Sequence, residues 1–171
     1  MASGAAIALE AAAWSLLWIA LVALLVFKFP HLIAHDYPAD IREAAHIPEP
    51  TEHQKKAGAV VMAAGWLILL GTLAAPAFIH YGAARVPFLT IFLHLWIMGF
   101  VWNAVDLLIV DWLIVCTIRP RCIVPAGTEN CAGWKDYGFH FKGFLHGFVY
   151  LSLIPLVVAA LSYAVLRFFV W

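Results

Sequence analysis

The sequence predicts an all-α integral membrane protein, an antiparallel four-transmembrane-helix bundle in which residues 1–171 form a single transmembrane domain. Three observations predict it. Of 171 residues, 65% are hydrophobic and 12% charged, about half the charged share of an ordinary soluble domain. The apolar residues gather into four runs, at about 5–27, 57–79, 87–117 and 142–169, each able to cross about 30 Å of hydrocarbon. The lysines and arginines are also sorted by side. Eight lie on the two polar connections (Lys28, Arg42, Lys55, Lys56, Arg119, Arg121, Lys135, Lys142), against Arg85 and Arg167 opposite. The positive-inside rule then makes connections 28–56 and 118–141 cytoplasmic and leaves both termini outside a cell inner membrane.

The first run is broken only by Glu10, and no positive charge precedes it. This argues for a retained helix over a signal peptide. Trp14 and Trp18, four apart, share a face directed at lipid or another helix. Pro30, Pro38, Pro48 and Pro50 cut the following connection into short pieces and leave room for a turn or two of helix at Ala39–Ala45. Gly58, Gly65 and Gly71 give the second run small surfaces for close helix approach, and Pro76 threatens its outer end. The short link His80–Val86 makes the second and third runs an antiparallel pair.

The third run, Pro87 to Thr117, is the one around which the others are arranged. Pro87 suits a first helical turn. As α-helix the run is about 45 Å long, more than the hydrocarbon core requires. It carries His94, Asn103, Asp106 and Asp111, and acids at such positions need protein or trapped water around them. Asn103 and Asp106 share a face with Trp96 and Gly99, while Asp111 falls about 80° around from Asn103. The fourth run opens with Gly143-x-x-x-Gly147, a close-packing signature, and Pro155 predicts a bend in it. Its first turns place His146 and Lys142 at roughly the depth of Asp111, so either is the expected partner of that carboxylate. His94 has no evident acidic partner and is expected to bond to a neighbouring helix near His80.

Composition also excludes several functions. Ten basic residues balance ten acidic ones, so no net charge draws the chain to nucleic acid. The three cysteines form no C-x-x-C pair, which argues against a zinc ribbon or a disulfide scaffold. Cys122 and Cys131 would face a reducing compartment. No glycine-rich phosphate loop occurs, and no nucleophile–base pair can be placed by spacing, so enzymatic activity stays open. Metal has weak candidates in His31 and His35, four apart, although Pro30 and Pro38 oppose the helix this requires. Bis-histidine haem needs two inward histidines at one depth. His94 and His80 lie on the same side, but His80 sits at a helix end. No cofactor is therefore predicted.

The run W-N-A-V-D-L-L-I-V-D-W-L-I-V-C-T, then P-A-G-T-E, then K-D-Y-G-F-H-F-K-G-F resembles a motif series of a family of small bacterial four-helix membrane proteins. The likeness covers Trp102 to Phe148 and, more faintly, His35 to Glu43. It brings no activity, cofactor or substrate. It implies emphasis on Asn103, Asp106, Asp111, Thr117, Gly127, Thr128, Glu129, Lys135, Asp136, Tyr137, His140 and Lys142.

Three readings of function follow. The first is a non-catalytic subunit or scaffold of a membrane assembly, with lipid bilayer and other membrane subunits, or further copies of itself, as partners. The alternative is a polar site open to the cytoplasm that binds or transports a small molecule, ion or lipid headgroup. Its candidates are Asn103, Asp106, Asp111, His140, Lys142 and His146, with Arg119 and Arg121 on an anion-attracting rim. The third is metal or haem binding through histidines.

Overall fold

The computed structural model describes residues 2–171, and among them there is helix and no strand. Four long helices dominate: Gly4–Lys28, Glu52–Tyr81, Phe88–Ile118 and Tyr137–Val170, all long and apolar enough to cross a membrane. We call them the first to fourth helix.

Local chemistry sets their starts. The Ser3 hydroxyl accepts from the Ala6 amide at 3.1 Å and caps the first helix. Thr51 and Gln54 form a reciprocal capping box, satisfying two amides that a helix start leaves unpaired. The second helix therefore begins at Glu52, five residues before its apolar run. Asp136 accepts from the Phe139 amide at 2.8 Å and starts the fourth helix at Tyr137, likewise ahead of its apolar run. Pro87 is the N-cap of the third helix, which begins at Phe88. The second and fourth helices run on through Pro76 and Pro155.

The third helix changes winding partway. Phe88–Val105 is α-helical, whereas Asp106–Ile118 is π-helical, with Arg119 closing it in a left-handed conformation at φ 45°. The last residues of the fourth helix, Leu166–Val170, are also π-helical. An i→i+5 turn is rare and usually brief, so thirteen residues of it is a distinctive element.

The third helix packs against all three others. Their shared core includes Ala11 and Trp14, Leu69 and Leu73, Ile91, Leu95 and Met98, and Ala159. The outward faces are as apolar as the core: Leu9, Leu16, Leu67, Ile79, Val149, Leu161 and Phe168 are all more than half exposed. Glycines mark the close approaches. A Cβ on Gly65 would lie 2.9 Å from Leu21, and one on Gly147 would lie 2.7 Å from Asn103 Oδ1. Gly71 and Gly143 meet nothing, so only one glycine of the Gly143–Gly147 pair makes a close approach.

The two connections dock on each other. The first contains short helical turns at Pro30–Ile33, Ala34–Asp36 and Ala39–Ala44, the second at Arg121–Ile123 and Ala132–Lys135. Asp40 accepts from its neighbour Ile41 at 2.9 Å and from the Gly133 amide of the other connection at 2.8 Å. Trp134 is buried, donates to Thr128 O at 2.7 Å and meets Tyr37 edge-on at 5.8 Å.

Candidate functional site

Two polar clusters flank a belt of tryptophan. The belt joins Trp14, Trp18 and Trp102 through edge-to-face contacts, with centroids 5.4 and 4.9 Å apart. Trp14 and Trp18 make helix contacts through their N–H groups. Trp14 Nε1 donates to Leu69 O at 2.9 Å, and Trp18 Nε1 donates to Asp106 Oδ1 at 2.9 Å. Trp102 Nε1 is buried with no partner.

The cluster anticipated from sequence lies below the belt. Asn103 is buried, and its Nδ2 donates to Phe144 O of the fourth helix at 3.1 Å. Asp111 Oδ1 lies 3.1 Å from His140 Nδ1. The π winding helps assemble this group. Five residues of α-helix would set Asp106 and Asp111 about 140° apart, whereas i→i+5 bonding returns the fifth residue nearly above the first.

The expected pairing of Asp111 with His146 or Lys142 is replaced by His140. The fourth helix starts at Tyr137, which puts His140 in its first turn, turned toward the third helix. His146 follows six residues later, about 240° around the helix, and Lys142 about 200° around. Both are exposed. Of the six candidates, the structure therefore gathers Asp106, Asp111 and His140, gives Asn103 a helix-to-helix bond, and leaves Lys142 and His146 outside.

Asp36 of the first connection comes close enough to Asp111 to feel its charge. Desolvation by surrounding protein pushes the Asp36 carboxyl above its usual value, the His35 charge opposes this, and Asp111 adds to it. With the side chain 69% exposed, water screens these effects, and they contribute little to stability. His35 lies 3.2 Å from Asp36. His31 Nε2 is buried and unpaired. Among the described residues, no group of three or more His, Cys, Asp or Glu is placed to hold a metal ion.

The other cluster turns on Glu10, which sequence reasoning passed over. Its Oε1 lies 2.7 Å from His80 Nε2 and its Oε2 lies 2.8 Å from His94 Nε2, joining the first, second and third helices. The His94 side chain is 1% exposed, and its Nδ1 lies 3.0 Å from the Tyr81 hydroxyl. A neutral His94 donating to Glu10 from Nε2 leaves Nδ1 to accept from Tyr81, so every polar atom of that ring is satisfied. The signal was present in the sequence. A carboxylate inside an apolar run needs a donor at its own level, and His80 and His94 were the donors at that end. Pairing two histidines with each other hid the acid between them.

Chemically, both clusters hold carboxylates against N–H donors. Among the described residues, no serine, threonine or cysteine side chain hydrogen-bonds to a carboxylate or histidine of either cluster. Cys116 is buried, Cys122 exposed and Cys131 intermediate, all as free thiols. A cleft of about 30 Å³ beside the tryptophans and a groove of about 280 Å³ between the first two helices are both lined by apolar side chains.

Compared with protein-family models, curated proteins and solved structures, the chain matches none.

Proposed function

We propose that the chain is a multi-pass membrane protein, an antiparallel four-helix bundle that serves as a non-catalytic subunit or scaffold of a membrane assembly. One observation carries this reading: the carboxylates of Glu10, Asp106 and Asp111 and the amide of Asn103 are each tied to a neighbouring helix. Glu10 binds two histidines, Asp106 binds Trp18, Asp111 binds His140, and Asn103 binds a backbone carbonyl. Polar groups tied across helices in this way fix helix register. The apolar outer faces support insertion, because a contiguous apolar exterior of this extent belongs in lipid or against other helices. The excess of lysine and arginine on the two connections supports their cytoplasmic placement in the inner membrane.

Purification in mild detergent tests the assignment. A subunit copurifies with a stoichiometric partner or self-associates. A monodisperse monomer that retains a solute, and loses it on Asp111→Asn, overturns the scaffold reading.

That outcome would favour a second reading, a small-molecule, ion or headgroup site at the connection end. The specific observation in its favour is the convergence of Asp111 with His140 and Asp36, which are partly open to solvent. Metal binding through His31 and His35, or haem binding through His80 and His94, has no such support.

A further inference from the structure

Glu10, His80 and His94 join the first three helices at the end of the bundle away from the two connections. An ionised carboxylate only accepts hydrogen bonds, so both Nε2 atoms must carry the protons that reach it. His94 is sealed: its side chain is 1% exposed and its Nδ1 is taken by the Tyr81 hydroxyl. His80 is different. It stands one residue from the end of the second helix, and its side chain is 23% exposed. Its Nδ1 bonds to no described residue. Each polar atom of the trio thus has a protein partner except one imidazole lone pair, on the ring that solvent reaches.

Charge points the same way. With both rings neutral, the trio carries the whole negative charge of Glu10. Among the described residues, no lysine or arginine lies within 4.0 Å of that carboxylate. The other ionisable groups at this end are turned elsewhere. Tyr81 serves His94, and Tyr163 of the fourth helix packs on Phe88 and Trp171. Arg85 donates to Trp171 O, and Arg167 is exposed. An unbalanced charge among packed helices is costly, and a cation held against it offsets part of that cost. Nothing here is arranged for a metal ion. The free lone pair of His80 takes a proton.

We infer that the trio is a proton-binding site: one proton enters at His80 Nδ1, makes that ring an imidazolium paired with Glu10, and tightens the three-helix junction. No existing bond is broken, because His80 Nε2 goes on donating to Oε1 across 2.7 Å. His94 stays neutral, since a proton on its Nδ1 would displace the Tyr81 donor. The scaffold reading asks only that this lock exist; the inference makes its strength depend on pH. The joined helices hold the proton more firmly than separated ones. The added stability is therefore present at acid pH and lost as pH rises through the titration.

Nitrogen NMR of the full chain in detergent, with histidine rings labelled, follows the proton directly. Between about pH 8 and pH 5, where histidine changes charge, the signal that His80→Gln removes is expected to move to the imidazolium position. The ring in contact with Tyr81 is expected to stay neutral while it does so. Thermal unfolding in the same detergent reads the consequence. The wild-type midpoint falls as pH rises over that range, by up to about 3–5 °C per pH unit for one proton. His80→Gln keeps an N–H for Glu10 but takes no proton, so it loses this part of the slope. A His80 ring that stays neutral throughout overturns the inference, as does a His94 ring that charges first. So does a His80→Gln slope equal to that of wild type. Should that variant not fold, the wild-type NMR titration, assigned through the Tyr81 contact, decides alone.

Discussion

Trp18 and Trp14 each donate one hydrogen bond, but their acceptors differ. Leu69 O is a carbonyl inside the second helix, served by the amide four residues on, with the Thr72 hydroxyl shared between it at 3.1 Å and Ile68 O at 2.7 Å, so losing the Trp14 N–H leaves it with a donor. The Asp106 oxygen has a charge-bearing acceptor's need for its donor. Trp18→Phe is therefore expected to destabilise the bundle by about 1–3 kcal/mol and Trp14→Phe by less, read as midpoints of thermal unfolding in detergent. Glu10→Ala deprives His80 and His94 of their shared acceptor and is expected to cost about 1–3 kcal/mol by the same measurement. A Glu10→Ala variant as stable as wild type would show that the trio holds nothing together. At this scale the sequence was only partly readable. Asp106 and Asp111 stood out because lipid cannot solvate them, but their partners depend on helix phase. His140 was a candidate from sequence but not as the partner of Asp111, because the apolar run starts at 142 while the helix starts where Asp136 caps it. His146 looked suitable by depth, and depth says nothing of the face a side chain occupies.

Glycine position decides how helices approach. Gly143→Ala meets open space and gains the better helix propensity of alanine, an expected stabilisation of about 0.5–1 kcal/mol. Gly147→Ala pushes into Asn103 and is expected to lower stability, because Asn103 must give up its bond to Phe144 O or the helices must separate. Parallel melts of the two variants check both signs. The four apolar helices were legible from their runs alone, since hydropathy over some twenty residues averages out local detail. The π winding of Asp106–Ile118 was not. Its residues are those of any apolar helix, and the choice between i→i+4 and i→i+5 bonding comes from packing around the segment.

Across the whole molecule, the docked connections form a separate cap. Asp40 holds Gly133 from across the chain, and a Cβ at Gly133 would collide with that carboxylate. Gly133→Ala is expected to open the connections to limited proteolysis while the helices keep their melting behaviour; an unchanged cleavage pattern would mean that the cap does not depend on this contact. Orientation is testable through the exposed Cys122. A membrane-impermeant maleimide should leave it unlabelled in intact cells and label it after permeabilisation; labelling of intact cells reverses the topology. Sequence reading located both connections but not their embrace, since long-range docking through one aspartate and one glycine leaves no periodic trace. The unusual winding of the third helix has a consequence for length. Wider turns advance less along the axis for each residue, so this longest apolar run is drawn in like a slackened spring. It can then stand upright in a layer that a fully extended α-coil of the same run would overshoot.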